Sequence, residues 1–280
     1  MIIFSGVSKQ FGDQATGINH FSLQINDGEF LVITGPSGVG KTTLMKLLIR
    51  EYEPSEGEIE IDGQTISQLK KSQIPELRRK IGVVFQDYKL INELNIWENI
   101  ALPLYIAKKT DQEIEERVTD LLNLIELNDK ALLFPRQLSG GEAQRVSIAR
   151  ALATGPKVIF ADEPTGNLDA QASLMIADLL KKINQLGTTL LFATHDQLVL
   201  DRLSKEKIVQ LSKPEPKPEP SRTANESTDQ EAMADNKDKT ESEEKTEKAR
   251  ASKADKNKSD NKTKNKDQTD SNKSKANKKK

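Results

Sequence analysis

The sequence predicts an α/β domain built on a mainly parallel sheet, with a helical subdomain inserted into it. Three observations point there. The runs Phe30–Thr34, Val158–Ala161 and Thr188–Ala193 are short and dominated by apolar residues, as strands buried on both faces are. Helical patterns alternate with these runs along the chain, and such alternation argues for parallel pairing under helical cover. The stretch from about Asp87 to Gly155 differs in character and reads as mostly helical.

Taken in order, Ile2–Phe4 and Phe21–Ile25 read as short strands, with Gly12 and Gly17 marking turns between them. Phe30–Thr34 stops at Gly35-Pro36-Ser37-Gly38, and a helix is expected from Lys41 to about Ile49. Glu58–Ile61 and Ile81–Phe85 are further strands. Thr110, with Glu113 three residues on, makes a capping box. It opens a helix carrying Ile114, Val118, Leu121, Leu122 and Ile125 at helical spacing. Ser139 and Glu142 repeat the device for a helix running to about Ala153, stopped by Gly155-Pro156. Ala170–Leu186 is a further helix, closed by Gly187 at the C′ position. No internal repeat is visible, so there is one copy of this unit.

The folded part is expected over residues 1–212, with the helical subdomain at about 87–155. From Lys213 onward there is no aromatic residue and no Val, Leu or Ile. Such a segment buries too little apolar surface to offset its ordering entropy, so 213–280 is expected to be a disordered, charged tail. Its opening run, Lys213 to Pro220, reads as an extended spacer. The overall formal charge of −1 hides an asymmetry: the tail holds 19 Lys/Arg and 15 Asp/Glu, leaving 23 and 28 in the body. A mildly acidic body argues against nucleic-acid binding. The chain has no cysteine, which excludes disulfides and thiolate metal sites and fits a cytosolic protein. No stretch approaches 18 uninterrupted apolar residues, so a membrane span would have to come from another protein.

Gly35-Pro36-Ser37-Gly38-Val39-Gly40-Lys41-Thr42 fits Gly-x-x-x-x-Gly-Lys-Ser/Thr, and it follows a buried strand and opens a helix, as that motif requires. The glycines let backbone N–H groups ring a phosphate, and the helix N-terminus adds positive potential. Lys41 is expected on the β- and γ-phosphates and Thr42 on Mg²⁺. Such loops serve many enzymes, so a second acidic element is needed. It comes in Val158-Ile-Phe-Ala-Asp162-Glu163, two carboxylates at a strand's end, where open parallel sheets bind ligands. Asp162 is expected to hold Mg²⁺ and Glu163 to polarise the attacking water as general base.

Leu138-Ser139-Gly140-Gly141-Glu142 decides the reading. A helix N-terminus with two glycines and a serine is a second ready-made anion site, and one nucleotide does not easily use two such sites on one chain. One natural solution is a partner chain. With these elements in this order, residues 1–212 resemble the ABC-type ATPases. Gly35–Thr42 matches their phosphate loop, Gln86 their Q-loop, Leu138–Glu142 their signature and Val158–Glu163 their second nucleotide motif. Asn167-Leu168-Asp169 matches their D-loop, His195 their switch histidine and Phe11 the aromatic ring that stacks on adenine.

The resemblance implies a P-loop NTPase fold of ABC type, adding an antiparallel β subdomain to the parallel sheet core and the inserted α-helical subdomain. It implies ATP and Mg²⁺ as ligands. Gln86 would reach the metal or the attacking water, and His195 would contact the γ-phosphate and hold the active geometry with Glu163. Thr43 joins the phosphate loop's contacts. Ser139, Gly140, Gly141, Glu142 and Asp169 belong to the nucleotide site, the signature turn facing the ATP of the opposite subunit of a homodimer. His20 has no such support and reads as a packing or surface residue. Ala143 where many relatives have Gln, and Phe11 for the commoner Tyr, are mild departures.

Within that family the segment Ile74-Pro-Glu-Leu-Arg-Arg-Lys-Ile-Gly-Val-Val-Phe-Gln-Asp87, continued by Asn95–Pro103, is similar to the cell-division branch (FtsE type). The stretch Pro164–Asp169 is shared with lipoprotein-release and macrolide-export ATPases, which stand as the alternative. Membership of the cell-division branch implies a peripheral place on the cytoplasmic face of the cell membrane. It also implies an integral partner (FtsX type) docking beside Gln86 on residues 87–105. Trp97 and Tyr88 are either anchors for that partner or residues buried within the helical subdomain. Residues 251–280 carry 11 Lys and 4 Asp, which would attract anionic lipid weakly; a solvated extension is the other reading.

Overall fold

The computed structural model describes residues 1–12 and 15–212, and the tail expected to be disordered lies outside the described residues. The elements run β1 (Ile2–Phe11), β2 (Ala15–Ile25), β3 (Phe30–Thr34), α1 (Lys41–Leu48), β4 (Glu56–Ile61) and β5 (Gln64–Thr65). Then come α2 (Ile74–Arg79), β6 (Ile81–Val84), α3 (Ile96–Ile106), α4 (Asp111–Leu124) and α5 (Gly140–Leu152). The last are β7 (Val158–Asp162), α6 (Ala170–Gln185), β8 (Thr189–Ala193), α7 (Gln197–Arg202) and β9 (Lys207–Gln210).

Two sheets form. The five-stranded sheet has the order β6-β7-β8-β3-β9, and each of its pairings is parallel. Along β3, Phe30 and Val32 enter one core while Leu31 and Ile33 enter the other. β7 and β8 divide likewise, with Ile159, Ala161, Leu190 and Phe192 on the first face and Val158, Phe160, Leu191 and Ala193 on the second. This is why the three runs are apolar throughout: both faces are covered. The first face packs against α3–α6 and the second against α1 and the other sheet.

The second sheet is four-stranded and antiparallel, in the order β2-β1-β4-β5. Here the sequence reading falls short. β1 and β2 are long strands, and Gly17 sits inside β2 rather than in a turn. Register shifts between Phe4 and Val7 and again from Val7 to Gln10 break the period-two alternation, so the polar second half of β1 does not look like strand. β5 and β9 also escaped notice; the former has two residues and the latter is mostly exposed.

The helical subdomain is closed by its caps. Thr110 and Glu113 exchange the expected side-chain and backbone hydrogen bonds, as do Asn95 and Glu98 at the start of α3. Ile114, Val118, Leu121 and Leu122 of α4 are buried against α3 and α5. Among the described residues no helix is long and apolar enough to cross a membrane. His20 is exposed on β2, so of its two readings the surface one holds. Trp97 is half-buried and packs against the helical core.

Removing a ring from the central sheet should cost far more than removing a cap. Phe192→Ala is expected to lower unfolding free energy by about 3–5 kcal/mol, and Thr110→Ala by about 1 kcal/mol. Urea unfolding of the full chain followed by far-ultraviolet circular dichroism checks both, and equal losses would contradict the burial argument.

Candidate active site

The parallel register assembles the site. Ile33 lies opposite Ala193, Ala193 opposite Asp162, and Val84 opposite Ala161. The residues that follow these four strand positions therefore emerge at one edge of the sheet. They are the loop from Gly35, His195, Glu163 and Gln86. Two further backbone bonds extend the ladder past the strands, Thr194 N–H to Ile33 O (3.0 Å) and Glu163 N–H to Ala193 O (2.9 Å).

The loop Gly35–Thr42 is shaped by its glycines. Gly40 has φ 113°, and a Cβ there would sit 2.2 Å from the carbonyl oxygen of Gly17. Only glycine fits. Pro36, Ser37 and Gly38 are exposed at the loop's crest, Val39 is buried beneath it, and Thr42 and the half-buried Thr43 open α1. Lys41 is 4% exposed, and its ammonium donates to the carbonyls of Gly35 (2.8 Å) and Pro36 (3.2 Å). It also pairs with Glu163 Oε1 at 3.2 Å.

Glu163 is the convergence point. The same Oε1 lies 3.1 Å from His195 Nδ1. The Glu163 backbone is left-handed, φ 47°, an unfavourable conformation for a residue with a side chain. Strain of this kind at a candidate catalytic carboxylate persists only where surroundings over-determine it. His195 stands on a turn made by its neighbours: the Asp196 N–H donates to Thr194 Oγ1, and Asp196 caps α7 through the Leu198 N–H.

Asp162 is buried at the end of β7, and its Oδ1 has no hydrogen-bond partner among the described residues. Burial pushes its carboxyl above the ordinary range; the Thr42 hydroxyl pulls it back, and the charge of Glu163 pushes it further up. An orphaned carboxylate oxygen beside a hydroxyl is a pair of oxygen donors waiting for a cation. So few protein ligands suit Mg²⁺, which keeps waters and takes phosphate oxygens. Among the described residues no group of three or more His, Cys, Asp or Glu forms a dedicated metal cage.

Gln86 is exposed, and its amide nitrogen donates to Asn167 Oδ1 at 3.4 Å while Asn167 Nδ2 donates to Gln86 O at 3.0 Å. Nearby Asp169 caps α6 by accepting from the Ala172 N–H at 2.8 Å. Phe11 is 37% exposed at the end of β1, edge-on to Tyr52 with ring centres 5.3 Å apart. Gly17 lies against the Phe11 ring, where a Cβ would come within 2.7 Å. Gly17 therefore seats both the ring and the phosphate loop.

The signature turn stands apart. Ser139 is exposed, Gly140 and Gly141 begin α5, and among the described residues no hydrogen bond or ion pair joins them to Gly35–Thr43. The Glu142 carboxylate accepts from the Ser139 N–H (2.9 Å) and hydroxyl (3.0 Å) and pairs with Lys130. Those contacts hold its carboxyl down at about 2. Lys130, Asn167 and Tyr52 carry no sequence signal for these contacts, because each partner is distant along the chain.

The chain is similar to known proteins in sequence and in fold. The ABC transporter family model matches residues 18–166. The cell division ATP-binding protein FtsE of Bacillus subtilis (strain 168) is 43% identical over 208 residues, covering 74% of this chain and 91% of that protein. FtsE of Escherichia coli K12 is 44% identical over 204 residues, covering 73% and 92%. Among solved structures, the dimeric form of the bacterial ABC transporter cassette MJ0796 is 37% identical with a TM-score of 0.68, covering 75% of this chain and 94% of that one. A dimeric post-hydrolysis state of the same cassette, bound to ADP and Pi, has a TM-score of 0.67 at 37% identity, covering 75% and 94%.

The cap of α5 is pH-sensitive in a definite direction. Because Glu142 is lowered from 4.5 to about 2 in the folded chain, its contribution is fully present above 4.5 and is lost as pH falls toward 2. The urea midpoint gap between the native chain and Glu142→Gln should be widest near pH 6–7 and narrow progressively below pH 4.5. A gap that widened in acid would contradict the Lys130 and Ser139 contacts.

Proposed function

The chain belongs to the ABC transporter family, grouping with the cell-division ATP-binding proteins of FtsE type, and hydrolyses ATP; from that premise we propose that it is the ATPase subunit of a membrane-associated cell-division complex. The observation that carries the proposed chemistry is the Glu163 carboxylate held between Lys41 and His195 at the carboxyl ends of β3, β7 and β8.

Lys41 pairs with Glu163 at 3.2 Å in a largely buried setting. A triphosphate carries several negative charges and outcompetes one carboxylate for that ammonium. Lys41 is placed to hold the β- and γ-phosphates, and Glu163 Oε1 to hold a water. His195 Nδ1 stays on the same oxygen and keeps the carboxylate aimed. General-base help of this kind is worth roughly 10²–10⁴-fold in rate. Thr42 and Asp162, with Gln86 beside them, would hold Mg²⁺, which would supply neutralisation of charge on the phosphates. Phe11 stacks on the adenine, with Tyr52 bracing its edge.

The exposed turn Ser139–Gly141 offers backbone N–H groups and a helix N-terminus that its own loop does not use. A second copy of this chain, turned head to tail, would bring that turn onto the first copy's γ-phosphate. Two ATPs would be sandwiched, and hydrolysis would loosen the pair. The dimeric cassettes among its structural neighbours support this reading.

The mechanical output would pass to an integral membrane partner of FtsX type on the cytoplasmic face, and through it to cell-wall hydrolysis. Its docking surface is residues 87–105 beside Gln86, where Ile91 (37%) and Tyr105 (50%) are exposed apolar side chains. Trp97 already packs inside the subdomain and would serve as support. Residues 213–280 would add weak contact with anionic lipid.

Glu163→Gln should cut phosphate release by about 100-fold or more while retaining ATP and stabilising the dimer on light scattering. Lys41→Ala should lose nucleotide binding. Turnover of Glu163→Gln at the native rate would remove the base assignment, and a chain that stays monomeric with trapped ATP and its membrane partner present would remove the sandwich. Co-purification in mild detergent decides the partner, since recovery of a lipoprotein or drug exporter would replace the division role. Unchanged liposome flotation at low salt after deletion of 213–280 would end the lipid contact.

A further inference from the structure

The segment that carries Gln86 is held by its backbone, and the strongest grip comes from α5. Tyr88 and Lys89 are two consecutive non-glycine residues in the left-handed region, φ 59° and 51°. Left alone, a chain avoids that conformation. Arg150 supplies what holds it: its guanidinium donates to the carbonyls of Tyr88 (2.8 Å) and Lys89 (2.6 Å) in a planar fork. One face of the same helix reaches further back, where Gln144 Nε2 donates to Phe85 O at a longer 3.4 Å. Asn167 takes the Gln86 carbonyl from the other side. The carbonyls at 85, 86, 88 and 89 are thus gripped by side chains from elsewhere in the fold.

The fork also bears on the signature turn. With its backbone fixed by Arg150, Tyr88 turns its hydroxyl toward Gly140, where a Cβ would come within 2.9 Å of it. Gly140 opens the helix that carries Arg150 in its last turn, about 15 Å along the axis. One rigid rod therefore carries the signature turn at one end and the clamp on the Gln86 segment near the other.

We propose that Arg150 is a positioning residue for Gln86, locking the left-handed turn at Tyr88–Lys89 so that displacement of the signature helix moves Gln86. The inference rests on the reading of Gln86 as a ligand to metal or attacking water, and its test separates the two. The guanidinium is half-buried, and burial lowers its affinity for a proton; its bond to Tyr88 O is partly buried and its bond to Lys89 O is exposed.

Lysine keeps the charge and loses the fork, so Arg150→Lys is the informative variant, with Arg150→Gln as a second in case the first perturbs folding. In the full chain, amide hydrogen exchange across residues 85–90 should rise between about 10- and 100-fold in both variants. Exchange elsewhere in α5 should stay as in the native chain. ATP turnover should fall in kcat with KM for ATP unchanged. Combined with Gln86→Ala, Arg150→Lys should add no further loss. Native exchange at 85–90 overturns the clamp, and losses that multiply in the double variant overturn its action through Gln86. If Gln86→Ala alone turns over at the native rate while exchange still rises, the clamp stands and the role given to Gln86 falls.

Discussion

One carboxylate oxygen organises the site. Glu163 Oε1 is shared by Lys41 at 3.2 Å and His195 at 3.1 Å, and each of the three residues follows a different strand of the parallel sheet. The contact exists because Ile33, Ala193 and Asp162 lie side by side in register. A slip of one residue in any strand would carry its buried side chains to the opposite face and take the following functional residue away from the edge. The apolar cores on both faces of β3, β7 and β8 therefore help to set the geometry of the Lys41–Glu163–His195 cluster.

A second theme is the satisfaction of irregular backbone by side chains from afar. Segment 85–95 leaves β6 and has no ladder of its own. Gln144, Asn167 and Arg150 take the carbonyls of Phe85, Gln86, Tyr88 and Lys89, and the buried Asn99 donates to Ile91 O, Leu94 O and Asn95 O, each at 3.0 Å. Buried carbonyls left without donors would be costly. The result is a loop gripped from several sides while exposed on its outer side.

Glycine and capping chemistry connect these two parts. Gly40 and Gly17 allow the Gly35–Thr42 loop, the Phe11 ring and β2 to come together without a Cβ between them. Ser139 and Glu142 form a closed cap, with Ser139 exposed, and Lys130 neutralises the carboxylate from the side. Pairing that charge with Lys130 offsets part of the negative charge at the helix N-terminus.

Much was legible in the chain alone, because local chemistry specifies it. The phosphate loop, the two acids after β7, both capping boxes and the buried strands each depend on neighbours within a few residues, and β3 was bounded correctly from its apolar run. The long hairpin of β1 and β2 was not legible, since its register shifts erase the alternation by which strands are read. Nor was the Lys41–Glu163 pair, the left-handed backbone at Glu163, or the grip of Arg150 on Tyr88 and Lys89. These join residues far apart in sequence, and only the closure of the sheet and the docking of α5 bring their atoms within reach. Sequence determined which chemistry is present; tertiary structure decided which atoms meet, because distance in space is set by register and packing.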